Sequence, residues 1–135
     1  MDWALAARPG DPVGLMGPSG GGVPQGDRLI LAGDETAYPA IARFLETRAG
    51  NARGQVWLLG QSADYPLPET PEFEVLHRPG GESQLAAMLE PAPCRIADLL
   101  WVGGERRAIE PLRRLAADKM APDGLFSHVS AFWTA

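Results

Sequence analysis

Apolar positions along the 135-residue chain come in two rhythms. Leu29, Ile30, Leu31 and Ala32 form an unbroken apolar run closed by Gly33, the pattern of a strand buried on both faces. Ala37, Ala40, Ile41, Phe44 and Leu45 then recur at helical spacing and line one face of a helix. Val56 to Leu59 predicts a second strand closed by Gly60, and Phe73, Val75 and His77 alternate inward in a third. After the Pro79-Gly80-Gly81 break, Leu85, Met88 and Leu89 mark a short helix. Leu99 to Val102 reads as a fourth strand ending in Gly103-Gly104, Ile109, Leu112, Leu115 and Ala116 form another helical stripe, and Phe126 to Trp133 reads as a fifth strand.

Parallel neighbours need crossovers, so strands alternating with helices predict a doubly wound α/β domain. The expectation is a mainly parallel five-stranded sheet with helices on both faces, which binds ligands beyond the carboxyl ends of its strands. The link SADYPLPETPE, Ser62 to Glu72, has three prolines and no helical period, and predicts an extended crossover. Glycine and proline are densest from Gly14 to Asp27. Residues 1–27 are therefore expected to be a remnant or edge followed by a Gly-rich linker, with the main domain at 28–135.

Composition narrows the partners. At 45% hydrophobic, the chain can bury one proper core. The net charge is -5 and no run of Lys or Arg exceeds a pair, which argues against a nucleic-acid surface. Cys94 stands alone, excluding an internal disulfide or a cysteine metal cluster and suiting a reducing compartment. The N-terminus lacks signal-peptide character and nothing approaches the ~18 apolar residues of a membrane span, so a cytoplasmic protein with no membrane contact is expected. His77 and His128 lack metal-ligand spacing. No nucleophile elbow or Cys-His arrangement assigns a catalytic residue.

Three loops could carry chemistry. In LILAGDETAYPAIARFLE, a strand, a Gly turn and a helix follow one another as in sites that hold phosphate on backbone N–H groups, yet the turn carries two acids. Proline is tolerated in a first helical turn and costs ~3 kcal/mol further in. Pro39 thus favours a helix capped by Thr36, with Pro39 third. Thr36 would accept from the Tyr38 N–H, leaving the Glu35, Thr36 and Ala37 amides to meet an anion. Asp34 and Glu35 either lie beside that phosphate, turned away or touching a ribose, or merely complement the helix dipole; the turn lacks the Gly-x-Gly-x-x-Gly spacing.

In WVGGERRAIEPLRRL, Pro111 favours a helix starting near Ile109 or Glu110. Arg106 and Arg107 then sit at the strand's carboxyl end, as an anion site or a solvated pair, whereas Arg113 and Arg114 fall on the outer helix face. In FSHVSAFWTA, Phe132 and Trp133 are either strand residues or a platform for a flat ring.

Taken in order, these loops resemble the C-terminal pyridine-nucleotide domain of the siderophore-interacting protein family, flavin-dependent ferric-siderophore reductases of the ferredoxin-reductase superfamily. The characteristic Gly-Asp-Glu-Thr-Ala-x-Pro-Ala is matched by Gly33, Asp34, Glu35, Thr36, Ala37, Tyr38, Pro39 and Ala40. His77-Arg78, Gly104-Glu105 and Leu112-Arg113-Arg114 match as well. Trp3-Ala4, Pro9-Gly10-Asp11 and Gly17-Pro18 resemble the last strand of the family's flavin domain. Two departures stand out: the preceding flavin β-barrel is not in this sequence, and the closing Tyr-Trp-Arg becomes Phe132, Trp133 and Thr134.

The resemblance implies an NAD(P)H module with Gly33, Asp34, Glu35, Thr36, Ala37, Gly103, Gly104, Glu105, Phe132 and Trp133 at the cofactor and Arg106 and Arg107 toward an anionic substrate. NAD(P)H would bind across Thr36 and Glu105 and reduce FAD held by a separate or missing flavin domain or flavoprotein, with ferric siderophore reached indirectly. Asp64, after the second strand, favours NADH. The alternative is a non-catalytic nucleotide-sensing or protein-interaction domain. An apolar surface where the barrel would dock implies a homodimer or a partner protein.

Overall fold

The structure, a computed structural model, describes residues 5–14, 26–48, 50–90, 99–119 and 126–135. Trp3, Ala4, Gly17, Pro18 and Cys94 lie outside the described residues. Five strands, β1 (Arg28–Gly33), β2 (Arg53–Leu58), β3 (Phe73–His77), β4 (Leu99–Glu105) and β5 (Phe126–Trp133), form one sheet in the order β3-β2-β1-β4-β5. Every pairing is parallel. The helices are α1 (Tyr38–Arg48), α2 (Glu82–Leu89) and α3 (Glu110–Lys119).

Alternation along β1 explains the two layers. Leu29 and Leu31 face one side, where Tyr38, Ile41 and Leu45 of α1 pack with Val56, Leu58, Phe73 and Trp101. Ile30 and Ala32 face the other, against Leu85 and Leu89 of α2, Ile109 just before α3, and Leu112 and Ala116 of α3. Each fully buried Leu or Ile contributes about 1.5–3 kcal/mol, so the central strands need both layers. The link from Ser62 to Glu72 contains no helix or strand, in line with an extended crossover. Its Tyr65 and Leu67 pack on the α1 side, covering sheet that a helix would otherwise cover.

Three local expectations change. Val75 does not point into the core: it is 47% exposed, because β3 is an edge strand and Val75 lines an open cavity beside Tyr65, Leu67 and Phe73. Gly103 and Gly104 do not end β4, which runs on to Glu105 with a register shift between Gly104 and Glu105. Helix α1 begins at Tyr38, so Pro39 is its second residue rather than its third, and the first helical bond runs from the Ile41 N–H to the Ala37 carbonyl at 3.0 Å. Helix α3 begins at Glu110 with Pro111 next, as proline's tolerance of a first turn requires. Residues 5–14 are exposed and contain no strand; the Arg8 N–H donates to Asp11 Oδ2 at 2.8 Å in a local turn.

Candidate functional site

The sheet reverses direction of winding between β1 and β4, and the crevice at the carboxyl ends of those strands is where doubly wound domains bind ligands. The two strands come very close here. A Cβ on Gly33 would lie 2.4 Å from the Gly103 carbonyl oxygen and 2.4 Å from Ala37 Cβ, so only glycine fits.

Asp34 spans the crevice. Its Oδ2 accepts from the Glu105 N–H at 2.9 Å and from Trp133 Nε1 at 2.8 Å. Its Oδ1 accepts from the Thr36 N–H at 3.0 Å and from the Thr36 hydroxyl. This corrects the expected cap: Thr36 donates to Asp34 and does not accept from Tyr38, whose N–H reaches the Glu35 carbonyl at 3.4 Å. Asp34 makes an Asx-type turn, its side chain bonding two residues on. The Ala37 N–H donates to the Asp34 carbonyl at 2.9 Å. The Thr36 and Ala37 amides, expected to face an anion, therefore already have partners.

Glu35 turns the other way, toward the loop after β2. It accepts from the Ser62 N–H at 3.0 Å, and that bond, first among several backbone contacts, holds its carboxyl below the ordinary range. Gly60 leaves the room: a Cβ there would come within 2.2 Å of the Glu35 carboxyl carbon. Tyr38 closes the same loop, its hydroxyl donating to the Ser62 carbonyl at 3.0 Å and accepting from the Gly60 N–H at 3.2 Å, while burial pushes its phenol up. His77 Nε2 meets the Gly60 carbonyl at 3.0 Å.

Glu105 repeats the device after β4. Its Oε2 accepts from the Arg107 and Ala108 N–H groups at 2.6 and 2.8 Å, and its Oε1 from the Ala135 N–H at 3.3 Å. The Ala108 bond is the main reason its carboxyl sits below the usual value. The Arg106 N–H donates to the Trp133 carbonyl at 3.0 Å, so the β4 loop is tied to the end of β5. Glu82, first in α2, is instead pushed up, chiefly by burial and in part by the negative charge of Asp34.

The aromatic residues form a connected set. Trp101 meets Phe44 edge-on at 5.3 Å and Phe132 edge-on at 5.9 Å, and lies parallel to His128 at 6.3 Å between ring centroids. Phe132 and Trp133 are nevertheless 44% and 45% exposed, leaving apolar ring surface uncovered. Gly104 lets Asp34 approach, since a Cβ there would meet Asp34 Oδ2 at 3.1 Å. Arg106 and Arg107 are exposed on the turn after β4. Arg113 and Arg114 pair with Glu110 on α3 at 3.8 and 3.1 Å.

The anticipated residues after β1, β4 and β5 thus converge on one end of the sheet. Tyr38, Gly60, Ser62 and Glu82 join them, none of them among the expected cofactor-binding residues. Ser62 lies 27 positions from Glu35, so nothing in local spacing could pair the two. Among the described residues no group of three His, Cys, Asp or Glu could hold a metal ion. No helix of the described residues is long and apolar enough to cross a membrane.

An all-parallel sheet of this order, with its loops gathered at the switch-point crevice, defines a doubly wound α/β domain. The chain belongs to the siderophore-interacting protein family, whose description matches residues 26–135. It is 31% identical to ferric vibriobactin reductase ViuB of Vibrio cholerae, over 93% of this chain and 51% of the relative. A siderophore utilization protein from T. fusca, known as a crystal structure, superposes with a TM-score of 0.68 at 30% identity, covering 98% of this chain and 54% of that one. The siderophore-interacting protein SipS from Aeromonas hydrophila shares the fold, with a TM-score of 0.64 at 23% identity over 98% of this chain and 56% of its own. The chain spans about half the length of these relatives.

Proposed function

We propose that this domain is the pyridine-nucleotide module of a ferric-siderophore reductase. The observation that carries the reading is the switch-point crevice between β1 and β4, bordered by the half-exposed rings of Phe132 and Trp133. NAD(P)H, when bound, would supply a hydride, and its acceptor would be a flavin on a separate domain or flavoprotein, from which single electrons would reach siderophore-held Fe(III). Ferric iron is the substrate, and hard oxygen donors hold the resulting Fe(II) less tightly.

The residues fit such a nucleotide mainly through side chains. The Thr36, Ala37, Arg107 and Ala108 amides are taken by the chain's own acceptors, so a diphosphate has no open seat on them. Arg106 and Arg107 would hold the phosphates, and Phe132 or Trp133 would support a flat ring. Gly33, Gly103 and Gly104 would act by letting the loops close, and Asp34, Glu35 and Glu105 by fixing them.

The carboxylate-filled turns also favour a second reading. Turns whose amides are filled by the chain's own acceptors suit a non-catalytic nucleotide-sensing or protein-interaction domain. Calorimetric titration of NADH, NADPH and FAD separately into the purified chain decides between them. The module reading expects one pyridine nucleotide to bind, FAD not to bind, and the Arg106→Ala, Arg107→Ala pair to weaken affinity about tenfold or more, the scale of a lost charge-assisted bond. Heat from neither nucleotide supports the protein-interaction form of the second reading and overturns the first.

A further inference from the structure

Strand β3 is one edge of the sheet, and two bonds fix which of its backbone groups face outward. The Gly54 N–H donates to the Glu72 carbonyl at 3.1 Å, and the Arg78 N–H donates to the Leu58 carbonyl at 2.8 Å. In a parallel ladder the bonding alternates, so Glu72, Glu74, Leu76 and Arg78 face β2, and Phe73, Val75 and His77 aim their backbone groups away from the sheet. The Phe73 N–H is used by the Thr70 carbonyl at 3.0 Å, and the His77 carbonyl accepts from Arg78 Nη1 at 3.0 Å. Among the described residues, both backbone groups of Val75, the His77 N–H and the Phe73 carbonyl are left without partners. Phe73–His77 contains no proline, lysine or bulge, and the Val75 side chain is 47% exposed.

We propose that β3 pairs antiparallel with β3 of a second copy of this chain, on a two-fold axis through Val75. The edge is complementary to itself in that register. Val75 exchanges both backbone bonds with its mate, each His77 N–H donates to the other copy's Phe73 carbonyl, and the two Val75 side chains cover each other. Glu72 falls opposite Arg78 of the second copy, and Arg78 opposite its Glu72, so opposite charges meet at both ends. Pro71 and Pro79 stand at equal distances on either side of Val75. Centring the pair elsewhere carries one proline into the ladder, where it has no N–H to donate.

Sedimentation or light scattering of the whole chain from tens to several hundred micromolar tests the proposal. The expected result is a concentration-dependent approach to twice the monomer mass. Glu72→Arg and Arg78→Glu each weaken association several-fold, and combining them restores it to within about twofold, because the swapped charges face each other again. In a Cys94→Ser background, Val75→Cys links into a dimer on mild oxidation, since opposed Cα atoms at ~5.5 Å lie within disulfide reach. Glu74→Cys, whose opposite residue is Leu76, stays monomeric. A strict monomer at the highest concentration, unrescued charge swaps, or Glu74→Cys linking as readily as Val75→Cys overturns the proposal.

Discussion

Trp133 Nε1 donates to Asp34 Oδ2 at 2.8 Å across 99 positions, pinning the last strand to the first turn. The same oxygen holds the Glu105 N–H, so one carboxylate joins β1, β4 and β5 at their carboxyl ends.

Replacing that carboxylate should loosen all three strand ends together. Asp34→Ala is expected to lower stability by about 1–3 kcal/mol, the range for leaving partly buried donors unpaired. Asp34→Asn should cost less, since its remaining carbonyl oxygen still accepts. Urea unfolding gives the magnitudes, and hydrogen exchange at Glu105 should speed up in Asp34→Ala.

The two glycines nearest the site should respond differently to alanine. At Gly33 the obstacle is the Gly103 backbone, which cannot move without opening the sheet, and a loss of about 2–3 kcal/mol is expected. At Gly60 the obstacle is the flexible Glu35 side chain. Gly60→Ala should therefore cost about 1 kcal/mol through the lost Ser62 bond, and much less in a Glu35→Ala background. A double-mutant cycle between positions 35 and 60 measures that coupling; equal costs in both backgrounds would contradict the contact.

Acid should destabilise the site through Glu35 and Glu105. Both carboxyls sit below their ordinary value because backbone N–H groups favour the charged form. The sign follows from linkage: their stabilisation is complete above the unfolded value of about 4.3 and is lost as pH falls through the lower folded value. Glu82 has the opposite sign, since burial penalises its charged form and the penalty eases as pH falls. Thermal melts between pH 7 and pH 3 should show a flatter acid limb in Glu35→Gln and Glu105→Gln. Glu82→Gln should raise the melting temperature at pH 7.

On the proposed role, the purified chain alone should not turn over ferric siderophore. Assays with NADPH and added FAD should remain at background, because the flavin is assigned to a separate domain. Turnover abolished by Thr36→Ala would contradict that division of labour.

Much of the fold was legible because it rests on local rhythm. The run Leu29 to Ala32, the stripe Ala37 to Leu45 and Pro111 each fixed an element within a turn of its observed place. Val75 misled because alternation marks a face without telling an edge strand from a central one. Gly103 and Gly104 read as a stop, yet they lie inside β4, where Gly103 faces Phe132 and Gly104 faces Asp34. The site was legible as a set of loops, and its bonding was not. Asp34 and Glu35 look alike beside a helix start, but their partners, Trp133 and Ser62, are brought near only by the sheet order.

Asp34 and Glu105 turn the question of affinity into one of competition. A carboxylate tethered a few bonds from the amides it fills acts at a high effective concentration, whereas a dissolved phosphate acts only at its own. Any anion meant to rest on these turns must displace a resident that never diffuses away. A modest concentration of free phosphate or sulfate should thus leave both turns undisturbed.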